Sequence, residues 1–235
     1  MNIDHSTVLV TGANRGLGAA FCRSLQARGA SKIYAAARRP EQVDAPGVIP
    51  VQLDITSAAD IEAAVERCGD VTLLINNAGI GTGKGVFAED ALDQLQREFD
   101  TNVFGPLAMS RAFAPTLAIN GGGAIVNVLS VLSWYASEQV ALYCAAKSAS
   151  WSLTNSLRLG LLAQRTQVVA VHVGYMDTDM TAALDVPKSS PDDVAALVLD
   201  AVQNGEPEVL ADDISRAVKS ALSGDLASLY PAIVS

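Results

Sequence analysis

The chain predicts an α/β fold: one domain, residues 1–235, on a doubly wound parallel sheet of about seven strands with helices on both faces. Three observations carry this. Short runs rich in Val, Ile and Leu recur along the sequence, each followed by a longer stretch of helical periodicity. That alternation marks parallel strands joined by crossover helices. The strand runs, such as TVLVT at Thr7–Thr11 and VTLLIN at 71–76, do not alternate apolar with polar residues, as expected of strands covered on both faces. Half of the residues are hydrophobic, which is enough for a two-sided core, and no repeat, low-complexity tract or linker divides the chain.

Thr7–Thr11 runs directly into Gly12-Ala13-Asn14-Arg15-Gly16-Leu17-Gly18, and an amphipathic helix follows over residues 17–28, closed by Gly29. Strand, glycine loop and helix in this order make a Rossmann-type phosphate site. Glycines permit a tight turn and close backbone approach, and a helix N-terminus offers unpaired N–H groups to an anion. The spacing is G-x-x-x-G-x-G, not the commoner G-x-G-x-x-G. A glycine cluster alone is an ordinary turn; its place after the first strand is what points to a dinucleotide. The second strand, Lys32–Ala37, ends at Arg38 and Arg39. A carboxylate there would hold a ribose 2′-hydroxyl, whereas arginines suit a 2′-phosphate, with Arg15 to assist. The alternative is two solvated arginines at a strand end. The expected cofactor is therefore NADP(H), preferred over NAD(H).

A third strand is predicted over 48–54, and Ser57 caps the next helix with Asp60 three residues on. The fourth strand, 71–76, enters Asn76-Asn77-Ala78-Gly79, small and polar as a chain passing close to a ligand must be. A long helix is expected over 91–117, with Asn102 midway and a kink at Gly105-Pro106. A fifth strand over 124–129, a helix over 140–163 and a sixth strand over 167–173 follow. An irregular stretch over 174–190, a helix over 191–203, a last strand over 208–211 and a short helical tail complete the chain.

The stretch 130–147, SVLSWYASEQVALYCAAK, holds the chemistry. Tyr143 and Lys147 lie four apart on a predicted helix and so share one face. A phenol titrates near ~10. An ammonium at ~4 Å would favour the phenolate by roughly 4 kcal/mol at an effective dielectric near 20, about 3 pKa units. This predicts an acid/base poised near neutrality. Ser130 ends the strand run AIVNVLS, from which its hydroxyl can reach the same spot. Tyr-x-x-x-Lys alone is often just a solvated helix face, so the surrounding motifs decide.

The formal charge of −9 argues against a nucleic-acid surface. Cys22, Cys68 and Cys144 are scattered and lack metal-ligand spacing, so no metal is expected and the thiols read as reduced and buried. There is no signal-peptide pattern and no apolar run of the ~20 residues that span a bilayer. No membrane partner is expected, and a cytoplasmic location is.

With these pieces in order, the chain resembles the short-chain dehydrogenase/reductase family over nearly its full length. The matching motifs are TGANRGLG at 11–18, Asp54-Ile55, NNAG at 76–79, Asn102, Ser130 and Tyr143-x-x-x-Lys147. The resemblance implies that Tyr143 is the acid/base, that Lys147 lowers its pKa and holds the nicotinamide ribose, and that Ser130 binds the substrate oxygen. Asn102 would anchor a relay water near Lys147. Gly12, Asn14, Arg15, Gly16, Leu17, Gly18 and Arg38 would contact the cofactor phosphates, Asp54 and Ile55 the adenine. Asn77, Ala78 and Gly79 would line the cofactor, and Thr178 would reach the carboxamide.

Departures from the family pattern concern the substrate side. Val173-Gly174 stands where Pro-Gly is usual, and Ser133 replaces a frequent glycine and is followed by Trp134 and Tyr135. The covering segment 174–190 is short. A partly open, aromatic-lined pocket is expected, with Trp134, Tyr135, Tyr175 and Met180 as lining candidates, each of which also suits a core. The resulting expectation is an NADPH-dependent reductase of an apolar ketone or aldehyde, with reversible hydride transfer; the alternative is an NADP-binding redox sensor. An epimerase or dehydratase on this fold would usually carry a larger C-terminal substrate domain. Between Val140 and Leu157 the only charged residue is Lys147. The helix there has no charged face, so its outer side should meet protein: either the chain's own preceding long helix or, as the resemblance favours, a second copy in a homodimer or homotetramer, with Trp151 the first candidate for the contact.

Overall fold

A computed structural model describes residues 1–233. Its sheet is built from β1 (Thr7–Thr11), β2 (Lys32–Ala37), β3 (Ile49–Gln52), β4 (Leu73–Asn76), β5 (Ala124–Val128), β6 (Gln167–His172) and β7 (Glu208–Leu210). They lie in the order β3-β2-β1-β4-β5-β6-β7, and every pairing is parallel. The chain starts at the centre, winds outward to β3, returns beside β1 and winds the other way. Strand order reverses between β1 and β4, where a crevice opens at the carboxyl ends of the strands. The Rossmann-type fold expected from sequence is the fold observed.

Strand periodicity sorts the core into two layers. Val8, Val10, Ile33, Ala35, Leu73, Ile75, Val169 and Val171 face one way, under α1 (Gly16–Ala27) and α6 (Pro191–Asn204). Leu9, Tyr34, Ala36, Leu74 and Val168 face the other, under α2 (Ala58–Arg67), α4 (Gly105–Ile119) and the end of α5 (Ala141–Gly160). Ser57 caps α2 as expected, its hydroxyl accepting from Asp60 N. The C-terminal α7 (Asp213–Ala221) and α8 (Leu226–Leu229) close the far edge. No helix among the described residues is long and apolar enough to cross a membrane.

The expected 91–117 helix is interrupted differently from the prediction. It stops as α3 (Ala91–Phe99), passes through one wide π-turn, Asp100–Phe104, and resumes as α4. The Gly-Pro pair follows directly on that turn. Pro106, in the first turn of α4, has no N–H for the carbonyl of Asn102 four residues back, which accepts from Ser150 Oγ at 2.7 Å instead. The wide turn centres on Asn102, whose side chain bonds the loop after β4.

Candidate active site

The crevice has a tightly built wall at the end of β1. There the chain turns at Gly12, φ +64°, where a Cβ would stand 3.0 Å from Ala78 Cα. At Gly18 a Cβ would meet Gly12 O at 2.1 Å, so only glycine lets α1 start against the turn. Thr11 fixes the facing strand end: its hydroxyl accepts from Asn77 N and Ala78 N, both at 3.0 Å. Asn77 Nδ2 returns bonds to Thr11 O at 2.9 Å and Gly12 O at 3.2 Å. The glycine loop and the NNAG turn are thus one hydrogen-bonded unit. The first turn of α1 carries no acidic residue, and its N–H groups have no helical acceptor. Both features suit a phosphate, so the residues present fit a dinucleotide.

Arg38 and Arg39 are exposed beyond β2. Burial works against ionisation of Asp54, but hydrogen bonds from Thr56 N and Thr56 Oγ1, with the charge of Arg38 behind them, hold its carboxyl below the usual value. Ile55 is buried on α4, where a Cβ at Gly105 would lie 2.7 Å from its Cδ1. Asn14 reaches only towards Gln42, at 3.5 Å. Arg15 pairs with Asp179 at 2.8 Å, and Thr178 Cγ2 is 3.2 Å from a Cβ placed on Gly16. The segment 174–190 therefore rests on the glycine loop.

The polar centre lies between α3, α5 and β5. Asn102 Nδ2 donates to Ile80 O at 2.9 Å and to Glu98 Oε2 at 2.5 Å, while its Oδ1 accepts from Ile80 N at 3.0 Å. Lys147 is buried and donates to Val128 O at 2.9 Å; its Nζ is 5.5 Å from the centre of the Tyr143 ring. Burial pulls Lys147 down to about 8, opposed by the Glu98 charge. Behind Lys147 a cavity of about 20 Å³ lies among Asn76, Asn102, Asn127, Ser150 and Thr154, room for one water. Tyr143 keeps part of its surface open.

Protein nevertheless surrounds Tyr143 closely enough that burial pushes its phenol above the ordinary value. The Glu98 carboxylate adds to this, and a hydrogen bond with Ser130 opposes it. The direction is opposite to the one expected from Lys147 alone. The cation is itself depressed by burial, and a buried carboxylate faces the same space.

Ser130 is positioned by backbone and by β6. Its hydroxyl accepts from Leu132 N at 3.1 Å and donates to Val173 O at 3.4 Å. Its carbonyl lies 3.1 Å from His172 Nδ1. Burial lowers His172 to about 4, so the ring is neutral at pH 7 and donates through Nδ1 to that carbonyl. Trp134 stacks on His172 with ring centres 3.6 Å apart, meets Trp151 edge-on at 6.0 Å, and has Lys219 Nζ over its ring, 4.5 Å from the centre. At 8 % exposure it is core, not a pocket wall, which corrects one substrate-lining expectation. Tyr135 stacks on Tyr230 of the tail, whose hydroxyl accepts from Ala136 N at 2.7 Å. Tyr175 and Met180 are exposed. A Cβ on Gly81 would lie 3.6 Å from Met180 Sδ and 3.9 Å from Tyr143 Cδ2, so Met180 borders the cleft at Tyr143.

The sequence model for the short chain dehydrogenase family matches residues 6–188. The chain belongs to that family. It is an oxidoreductase of the short-chain dehydrogenase type, and similar proteins span nearly its whole length. A crystal structure of a short chain dehydrogenase from Burkholderia cenocepacia, in complex with NADP, superposes with a TM-score of 0.94 at 36 % identity, covering 100 % of both chains. An NADP-dependent 3-hydroxy acid dehydrogenase of Schizosaccharomyces pombe is 28 % identical over 90 % of this chain and 92 % of its own length. A ketoacyl reductase of Nostoc is 30 % identical over 88 % and 78 %.

Within this short-chain dehydrogenase, Asn102, Tyr143 and Lys147 converge with Gly79 at one end of the crevice, and Ser130 joins them through Tyr143. Gly12, Gly16 and Gly18 with Asn77 and Ala78 form its other wall. Sequence reading missed Glu98, His172 and Tyr230. Glu98 had a signal, an acid four residues before Asn102 in helical register. His172 and Tyr230 act through contacts 42 and 94 residues away in sequence, which no local pattern encodes.

Proposed function

We propose that this protein is an NADPH-dependent carbonyl reductase, working reversibly on an apolar ketone or aldehyde. The observation that carries the reading is the convergence of Tyr143, Lys147 and Ser130 on a cleft edged by Met180. A phenol held above its ordinary value keeps its proton, the form that donates to a carbonyl oxygen. The nicotinamide cofactor, when bound, supplies the hydride. Ser130 Oγ, close to the phenol, donates a hydrogen bond to the same oxygen and polarises the carbonyl. Tyr143 gives its proton to that oxygen as it becomes an alkoxide. Lys147 stands next to hold the ribose and favour the phenolate left behind, and the small cavity lined by Asn102 and Lys147 suits a water that restores the proton.

Arg38, assisted by Arg15, would hold a 2′-phosphate, which favours NADPH over NADH. The NADP bound in the Burkholderia structure and the NADP dependence named for the yeast relative are in keeping with this. The protein is proposed to act in the cytoplasm as a homodimer or homotetramer. Ile119 is 84 % and Leu159 71 % exposed at the ends of α4 and α5, apolar surface that a second copy would cover. Trp151 is half-buried against Trp134 within the chain, which leaves it a smaller part in that contact than its sequence position implies. NADPH oxidation followed against a panel of aliphatic, aryl and keto-acid carbonyls tests the reading. Turnover with at least one class is expected, and NADPH binding without turnover on any would reject it.

A further inference from the structure

Glu98 is 0 % exposed and has no part in the chemistry above. A carboxylate in the interior survives only where its oxygens are satisfied and its charge is answered. Thr82 N donates to Oε1 at 2.6 Å, and Asn102 Nδ2 donates to Oε2 at 2.5 Å. Both neighbours are donors that cannot turn round. One is a backbone N–H. The other is an amide fixed by its two bonds to Ile80, so that flipping it would break both. A glutamine would present its NH₂ to one of these donors, whereas the ionised carboxylate accepts through both oxygens with no O–H to place. The hydrogen-bond pattern therefore favours a buried negative charge.

The groups around that charge are few. Tyr143, Cys144 and Lys147 of α5 lie within reach of its charge, and Lys147 Nζ stands close to the Asn102 amide that binds Glu98, the two lying 3.9 and 3.0 Å from a Cβ placed on Gly79. On the loop after β4, Lys84 is paired with Asp90 of the α3 N-terminus at 3.6 Å. On α3 itself, Arg97 bonds Gln94. Across Ser130, the buried His172 of β6 is neutral. Lys147 is thus the one buried cation available to answer Glu98 among the described residues.

We propose that Glu98 is a positioning residue of this site, an ionised carboxylate that locks the Asn102 amide and supplies the counter-charge that keeps Lys147 protonated. The proposal rests on reading Tyr143 and Lys147 as the proton-handling pair. Without Glu98, Lys147 would lose its ammonium at lower pH, and the cofactor ribose and phenolate would lose their cation in the neutral range.

The test needs neither turnover nor cofactor, so its failure is separable from failure of the reductase reading. The chain has five lysines, and burial brings Lys147 alone down to about 8. Lysine labelled at Cε, followed by NMR against pH and assigned with Lys147→Arg, reads its midpoint directly. Glu98→Gln should lower that midpoint by about one to two units, the order expected for a unit charge about 7–12 Å away at an effective dielectric near 20. Glu98→Asp, which keeps the charge, should stay near the wild type. A folded Glu98→Gln with an unmoved midpoint would overturn the proposal, as would an equal fall in Glu98→Asp, since packing and not charge would then set the value. If Glu98→Gln does not fold, the unaltered protein still decides. Glu98 is the only fully buried carboxyl among the described residues, so infrared spectra at neutral pH should lack a neutral carboxyl band, and its presence would reject the ionised state.

Discussion

The two sides of the crevice are built by different means. On the cofactor side, residues 11–18 and 76–79 meet through backbone atoms and two short side chains, Thr11 and Asn77. On the opposite side, residues 130–137 are held by ring stacking and by the C-terminal elements, through Trp134 with His172 and Lys219 and Tyr135 with Tyr230. The first wall tolerates almost no added atoms and leaves little room for variation. The second depends on size and shape of side chains contributed from distant parts of the chain. One scaffold can therefore keep its glycine wall unchanged while the opposite wall is rebuilt.

The contrast is broken most directly at Gly18. Gly18→Val places a Cβ 2.1 Å from Gly12 O, and backbone cannot yield as a side-chain tip can. NADPH binding, followed by fluorescence titration, should weaken by a factor of ~100 or more, with the overall fold retained in circular dichroism. On the other wall, Trp134→Ala should act on stability. Loss of a buried indole costs about 3–5 kcal/mol, read by denaturant unfolding, whereas KM for a reduced carbonyl should move less than about threefold. A large KM change with unaltered stability would return Trp134 to the pocket lining.

His172 gives that wall a pH signature. Its pKa is about 4 in the fold against ~6.5 in an unfolded chain. The unfolded state therefore binds the proton first. The stabilisation is complete above pH ~6.5 and is lost as pH falls towards 4, about 3 kcal/mol in all. His172→Asn should flatten this part of the stability curve, and an unchanged slope would show that other groups set it. The smallest effect belongs to cofactor choice. Arg38→Asp should raise KM for NADPH by roughly tenfold or more, with little change for NADH. Equal kcat/KM for the two cofactors in the wild type would remove Arg38 from the phosphate site.

The same contrast decides what the sequence could tell. The doubly wound parallel sheet was legible because unalternating apolar runs such as Val8-Leu9-Val10, and the helical stretches between them, leave local traces; the strand order, and which layer each residue faces, do not show in runs that are apolar throughout. The glycine loop was legible because backbone crowding demands glycine at particular steps. Tyr143 and Lys147 were legible as a pair from helical register, but the pKa of the phenol was not. It depends on Glu98 and on burial, which come from α3 and the sheet. Trp134 was ambiguous for the same reason: whether an aromatic lines a pocket or fills a core is settled by its partners, here His172 of β6 and Lys219 of α7. The break around Asn102 was placed a few residues late, at the Gly-Pro pair that follows it, because a π-turn has no composition of its own.

The central claim is that Tyr143 carries the proton at this site. Tyr143→Phe removes one oxygen and leaves the wall of glycines untouched. NADPH affinity by fluorescence titration should stay within about twofold of the wild type, while carbonyl reduction should fall by about 10³-fold, as for loss of a positioned general acid. A variant that binds NADPH normally and keeps more than a few per cent of turnover would contradict the account.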